Sequence, residues 1–163
     1  KKKIISSKNN KKFYSWVDLG SEYRAPELSS ALLYSQLLKV KKIQNVRKKN
    51  WNIFNQLIDK LDTKKFYLIK SSQESTSTYH ILALIFRTTK LANEFKKIFQ
   101  NNRIAATFHY VPLHKSRMGK QFCNYKLPIT ENIYNRVVRL PLYSDMTKQE
   151  INKISALIKN FLV

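Results

Sequence analysis

The residues of this sequence best suited to chemistry lie in the stretch FHYVPLH, residues 108–114. His109, Tyr110 and His114 fall within it, and His80 is the remaining histidine of the chain. Imidazole and phenol groups can move protons, and imidazole is also a common metal ligand. Pro112 favours a strand end or a turn at this point. The stretch is therefore a candidate metal site, a candidate catalytic site or the end of a buried strand.

Metal binding and nucleophilic catalysis receive little support from the neighbouring residues. Zinc sites usually draw three or four ligands at recognisable spacing, but no acidic residue or cysteine lies close to His109 and His114 in the sequence. Ser116 follows His114, yet no G-x-S-x-G turn surrounds it. The simplest interpretation of His80 is a half-buried strand residue bonded to a backbone group. For Tyr110 it is core packing.

The elements that would position these residues form an α/β pattern. Apolar stretches predict a short strand at 66–70, a buried strand at 79–87, a strand at 103–111 and a strand at 137–143. Residues 115–128 are predicted to be a loop.

Helices are predicted where apolar residues recur every three or four positions. The first is long, about 27–60, with Pro26 in its first turn and a bend near Lys41. Three shorter helices follow: one capped by Thr88 or Thr89, one from Thr130 to about Arg136, and one after the capping-box pattern TKQE at 147–150. This order predicts an α/β two-layer sandwich, a long helix and shorter ones on a short, mostly antiparallel sheet.

The charge of the chain is strongly positive, with 31 basic against 10 acidic residues and a net charge of +21. Such a charge could attract nucleic acid. However, 24 of the basic residues are lysines spread along the chain and only 7 are arginines, the preferred readers of bases and phosphates. The composition therefore favours solvated surface charge and disfavours a nucleic-acid partner.

Glycine, cysteine and the apolar runs limit the classes of protein further. Gly20 and Gly119 are the only glycines, so a glycine-rich phosphate loop is excluded. Cys123 is the only cysteine, which favours a reducing compartment. The longest apolar run, 81–86, is far shorter than the about 20 residues that span a bilayer. We expect a cytoplasmic protein with no membrane span.

Three segments carry a resemblance to a known family. They are YSWVDLGSEYRAPELSSALLYSQL at 14–37, FHYVPLH at 108–114 and RLPLYSDMTKQEI at 139–151. In this order they resemble the C-terminal part of the DegT-type sugar-nucleotide aminotransferases, over roughly residues 13–162. Within that family they are most similar to the dTDP-4-amino-4,6-dideoxygalactose transaminases.

The resemblance implies a fold and an activity. The fold would be the small C-terminal domain of the aspartate-aminotransferase-like class, fold type I, in an enzyme that works as a homodimer. Such enzymes use pyridoxal phosphate to move an amino group from glutamate to a 4-keto-6-deoxy sugar nucleotide for cell-surface polysaccharide synthesis. The chain would comprise an entry segment at 1–24 and a small domain at 25–163.

The resemblance also assigns roles to single residues. Arg24, at the end of the turn Gly20–Arg24, matches the basic position that binds the cofactor phosphate, and Glu22 stands where many members have asparagine. His80, His109, Tyr110 and His114 would line the sugar-nucleotide pocket. No catalytic residue is expected in this chain.

This sequence contains no counterpart of the family's large N-terminal domain, which carries the catalytic residues. The Schiff-base lysine, the aspartate at the pyridinium nitrogen and the phosphate-binding region belong to a large N-terminal domain, and none of the 24 lysines here matches the catalytic position. Without that lysine, transamination has no covalent step. We expect a fragment that is inactive and free of cofactor on its own. The alternatives are a decayed, non-catalytic remnant or binding module and, less favoured, a basic nucleic-acid-binding protein.

Overall fold

A computed structural model describes the backbone of two N-terminal strands, Lys2–Ser6 and Lys12–Trp16, and residues 23–61, 63–72, 74–108, 110–122 and 125–162. The chain divides into two compact units, Lys1–Val40 and Lys41–Val163. The predicted boundary between residues 24 and 25 falls inside the first unit and stays a prediction.

The first unit contains a hairpin and a helix. Strands β1 (Lys2–Ser6) and β2 (Lys12–Trp16) pair antiparallel, with Ile4 opposite Tyr14. Helix α1 (Glu27–Leu37) follows Pro26, which stands just before the helix as its N-cap and not in its first turn. None of the α1 residues is buried, and its exposed apolar side chains include Leu28, Leu32, Leu33, Tyr34 and Leu37.

The structure divides the predicted helix over 27–60 in two. Helix α1 ends at Leu37 and α2 runs over Val40–Lys60. At the interruption the backbone N–H of Lys39 donates to the carbonyl of Gln36 at 3.0 Å, a tighter hydrogen bond than the one that continues an α-helix. The bend that we expected near Lys41 is instead an interruption of the helix at Leu38–Lys39.

The second unit is built on a three-stranded sheet. Its strands are β3 (Phe66–Leu68), β4 (Leu82–Phe86) and β5 (Val137–Leu140), in the order β3-β4-β5 with both pairs antiparallel. Every residue of the central strand β4 is buried. The predicted short antiparallel sheet and the α/β fold class are confirmed.

The predicted strand at 103–111 is wrong for the residues that the structure describes. The segment makes a single bridge to β5, in which Thr107 and Arg139 exchange backbone hydrogen bonds of 3.0 and 2.7 Å. Arg103 enters it with a positive φ of 58°, a turn conformation. Ile104 and Ala106 pack against the core, and this inward packing produced the apolar pattern that resembled a strand.

Three helices cover one face of the sheet. They are α2, α3 (Thr89–Asn101) and α6 (Lys148–Asn160). Their buried residues form one core with alternate residues of β4: Phe54, Ile58, Leu82, Leu84, Phe86, Ala92, Phe95, Phe99, Ile151, Ile154 and Ile158. Helix α3 is capped by Thr88, whose side chain accepts from the N–H of Leu91 at 3.2 Å. The capping box of α6 is also present, so both predicted helix starts are confirmed.

Short helical elements fill the stretch between Pro112 and β5. A 3₁₀ turn spans Leu113–Lys115, α4 spans Gly119–Phe122, and α5 spans Pro128–Tyr134. The predicted loop at 115–128 therefore contains α4, and α5 begins two residues before the predicted Thr130. Pro128 favours this earlier start because its fixed φ suits the first helical position.

Candidate functional site

The second face of the sheet carries a cavity of about 600 Å³. Ala83 of β4 and Val137 of β5 line it, whereas their neighbours Leu84 and Val138 belong to the core on the helical face. Side chains alternate between the two faces of a sheet, so the cavity lies on the face of the sheet opposite the buried core, and α2 contributes to it through Trp51. Its other walls come from α2, the residues after β3, residues 110–113 and α5.

Two of the predicted site residues, His80 and Tyr110, line this cavity together. His80 is exposed and its Nδ1 lies 2.6 Å from the hydroxyl of Thr78. Tyr110 is 76% exposed. Both can therefore meet a ligand from solvent.

His114 does not line the same cavity. It borders a second, smaller cavity of about 460 Å³ together with Gly119 and Phe122. Its side chain is only 8% exposed, and its Nε2 lies 3.1 Å from Oε1 of Glu131. A direct role in substrate binding stays a prediction for this residue.

Glu131 lies beside the cavity, on α5, and has a strongly lowered pKa. Its carboxylate accepts from Lys115 Nζ at 2.5 Å and pairs with His114, and the backbone N–H of Leu127 donates to it at 3.4 Å. The ammonium of Lys115, followed by the His114 ring, lowers the pKa of Glu131 to about 2. The carboxylate is therefore ionised at every physiological pH.

Two further residues were predicted for the site, Arg24 and His109. Arg24 is exposed and belongs to the first unit. His109 lies outside the described residues. Among the residues that the structure describes, no three or more His, Cys, Asp or Glu side chains come together as a metal site would require.

Several lining residues were missed by the sequence analysis. Trp51 of α2 lines the cavity and meets Tyr79 edge-on at 5.6 Å between ring centroids. Tyr79 has a φ of 50°, which is uncommon for a residue other than glycine, and no local pattern predicts it. Trp51 follows Asn50, which lies on the buried face of α2. An aromatic residue next to that buried face is the sequence feature that could have indicated Trp51 as a lining residue.

The charges around the cavity are few. Among the residues that the structure describes, its lining includes no Asp or Glu, and Lys70 is its one lysine. The ammonium of Lys70 is held by Asp59, with N–O distances of 2.8 and 3.0 Å. Most of the lining is aliphatic or aromatic, with hydroxyls from Ser71, Ser77 and Thr130. Such a surface suits the binding and orientation of a ligand, because few groups in it can exchange a proton.

In the described part of the chain, no helix is both long enough and apolar enough to cross a bilayer.

The class of protein follows from a comparison with known families. The sequence model of the DegT/DnrJ/EryC1/StrS aminotransferase family matches residues 3–159. The chain belongs to this family.

Individual relatives are distant but consistent. The dTDP-3-amino-3,6-dideoxy-alpha-D-galactopyranose transaminase of Aneurinibacillus thermoaerophilus is 19% identical over 97% of this chain and 42% of its own length. The fold is similar to that of PseC, a Helicobacter pylori aminotransferase of pseudoaminic acid biosynthesis, with a TM-score of 0.80, 17% identity and coverage of 98% of this chain and 43% of that one. The PMP-form of Spr1654, a sugar aminotransferase of Streptococcus pneumoniae, aligns with a TM-score of 0.76 and 17% identity over 91% and 38% of the two chains.

The extent of these matches is as informative as their identity. The chain spans 40–42% of the length of the curated relatives that it matches. Its fold is that of part of a fold type I sugar aminotransferase.

Proposed function

We propose that this chain is the C-terminal part of a sugar-nucleotide aminotransferase and provides the substrate-side wall of its active site. The complete enzyme would transfer an amino group from glutamate to a 4-keto-6-deoxy sugar nucleotide for cell-surface polysaccharide synthesis, as a homodimer in the cytoplasm. Within the family, the closest activity would be that of the dTDP-4-amino-4,6-dideoxygalactose transaminases. The observation that carries the proposal is the cavity that joins His80 and Tyr110 in a chain matched by this family over 3–159.

The chemistry of the cavity suits a sugar nucleotide with a deoxygenated sugar. Apolar side chains such as Ile81, Val111 and Ile133 line most of it, and they favour a methyl group or a flat base over a fully hydroxylated ring. His80, Tyr110 and the serine hydroxyls offer hydrogen bonds to the polar atoms. A few polar groups in an apolar cavity orient a ligand without reacting with it.

The described residues do not fit a complete pyridoxal-phosphate site, although the family depends on this cofactor. The cofactor needs a free lysine amine, and the one lysine among the described lining residues is paired with Asp59. It also needs a carboxylate at its ring nitrogen, and the described part of the lining contains none. Arg24, exposed near the start of α1, could bind a phosphate group. We therefore propose that this chain alone holds no cofactor and has no transaminase activity.

A calorimetric titration of the chain with thymidine diphosphate and with a dTDP-4-keto-6-deoxy sugar tests the proposal. We expect both to bind, and we expect the sugar nucleotide to bind more tightly because it reaches more of the cavity. Tyr110→Phe should weaken binding of the sugar nucleotide about fivefold, the value of one net hydrogen bond. His80→Ala should weaken it at least as much.

A matched control is Tyr125→Phe. Tyr125 is 76% exposed, like Tyr110, but it does not line the cavity, so its affinity should equal that of the parent. If Tyr110→Phe and His80→Ala bind as tightly as the parent, the cavity is not the sugar-nucleotide site. Absence of any binding would favour the decayed remnant.

A further inference from the structure

The carboxylate of Glu131 joins two separate segments of the chain. Glu131 lies on α5, and both of its ionic partners, His114 and Lys115, lie in the 3₁₀ turn Leu113–Lys115. One oxygen lies 3.1 Å from His114 Nε2 and the other 2.5 Å from Lys115 Nζ. A single side chain thus fixes the turn against the helix.

Both of these segments are walls of the cavity. Residues 110–113 line it and lead directly into the turn, while Thr130 and Ile133 line it from α5, on either side of Glu131 in sequence. Leu113 and Thr130 also border the smaller cavity beside His114. The two segments together, residues 110–115 and α5, are called the roof below.

Other contacts hold the chain on either side of the turn and within residues 110–113. Thr107 is bonded to Arg139 of β5, and Pro112 is buried. After the turn, Ser116 Oγ donates to the carbonyl of Leu113 at 2.7 Å. Among the contacts that the structure describes, those of the Glu131 carboxylate with His114 and Lys115 join the turn to α5.

The two contacts of this link differ in their exposure to water. The His114 side chain is 8% exposed, whereas those of Glu131 and Lys115 are 30% and 41% exposed, so water competes less for the contact to His114 than for the contact to Lys115. The lowered pKa of Glu131 means that the carboxylate keeps its charge throughout the physiological range. Charge-assisted hydrogen bonds are about twice as strong as neutral ones.

We propose that Glu131 is the positioning residue of this cavity: through His114 and Lys115 it holds the roof in the position at which residues 110–113 can contact a ligand. His114 then acts through Glu131 and not by touching substrate. As far as ligand binding is concerned, this inference rests on the proposed function. The position of the roof itself can be measured without a ligand.

The fluorescence of Trp51 can report the position of the roof, because Trp51 lines the same cavity as residues 110–113. In a Trp16→Phe background, Trp51 is the only tryptophan of the chain. Acrylamide quenching of its fluorescence should increase in Glu131→Ala and to a smaller extent in Glu131→Gln, which keeps one acceptor oxygen. Lys115→Gln, which removes one partner, should shift quenching in the same direction. Glu94→Gln, an exposed glutamate on α3, is the matched control and should not change it.

Stability is measured in parallel to separate positioning from mere support of the fold. If Glu131→Ala lowers the thermal midpoint but leaves Trp51 quenching at the parent value, the roof has not moved and the inference is overturned. Unchanged quenching in both Glu131→Gln and Lys115→Gln overturns it too, even if Glu131→Ala fails to fold. Increased quenching in these two folded variants supports it.

Titration with thymidine diphosphate separates this inference from the proposed function. We expect about a tenfold loss of affinity in Glu131→Ala, the equivalent of one charge-assisted hydrogen bond. If the parent binds no nucleotide but quenching still responds, the proposed function fails and the positioning role stands. If the parent binds and Glu131→Ala binds equally with unchanged quenching, the positioning role fails and the proposed function stands.

Discussion

At the scale of single residues, the region around the cavity depends on a few close contacts. Gly119 is one of them, because a Cβ built on it would lie 1.7 Å from the carbonyl oxygen of Leu113. Leu113 lines both cavities. The absence of a side chain at Gly119 therefore lets α4 approach the backbone of the roof.

We expect Gly119→Ala to destabilise the chain by about 1–3 kcal/mol, since either the turn or α4 must move to relieve the clash. Chemical denaturation measures the loss. Lys120→Ala, at the next and exposed position of α4, is the control and should change stability little. A Gly119→Ala chain as stable as the parent would mean that α4 can shift without strain.

At the scale of elements, the helix that closes the core depends on its first turn. Thr147 Oγ1 accepts from the N–H of Glu150 at 3.2 Å, and Glu150 Oε2 accepts in return from the N–H of Thr147 at 2.8 Å. Glu150 also accepts from the hydroxyl of Tyr143 at 2.7 Å. The backbone N–H of Thr147, followed by the hydroxyls of Tyr143 and Thr147, lowers the pKa of Glu150, and the capping box fixes the start of α6.

Thr147→Ala should reduce the free energy of unfolding by about 1 kcal/mol, the usual value of an N-cap. Thr147→Ser keeps the hydroxyl and should recover most of that loss. Urea denaturation of the three proteins checks both expectations. Equal losses in the two variants would assign the effect to the methyl group of Thr147 and not to the cap.

The elements that the sequence predicts well are those with local causes. The caps at Thr88 and Thr147 and the apolar strand β4 each follow from neighbouring residues, and each is present. The left-handed Tyr79 and the missing strand at 103–111 involve packing against residues distant in sequence, Trp51 and the core respectively. His80 and Tyr110 share one cavity, and their role in binding a sugar nucleotide stays a prediction. The link from His114 to Glu131 spans 17 positions, and no periodicity predicts it.

At the scale of the whole molecule, the dominant property is charge. The net charge of +21 on 163 residues makes the folded chain repel itself, and salt screens that repulsion. Few ion pairs compensate within the described residues: Lys70 with Asp59, and His114 and Lys115 with Glu131. We therefore expect salt to weaken the repulsion among the basic residues more than it weakens the attraction within the ion pairs.

We expect the thermal midpoint to rise when the ionic strength increases from about 0.01 M to about 0.15 M, as the Debye length falls from about 30 Å to about 8 Å. Sodium chloride and potassium fluoride should act alike if screening is the cause, which scanning calorimetry can check. A midpoint that falls with both salts would show that local attractions outweigh the net charge.

The burial of β4 has a consequence for time scales. This strand is hydrogen-bonded to a neighbour on each side and buried on both faces, so its amide protons exchange with solvent only when the whole unit unfolds. The floor of the cavity is therefore as long-lived as the native state itself. If Glu131 positions the roof as proposed, we expect the residence time of a bound ligand to depend on the contacts of the roof and not on the unfolding of the sheet.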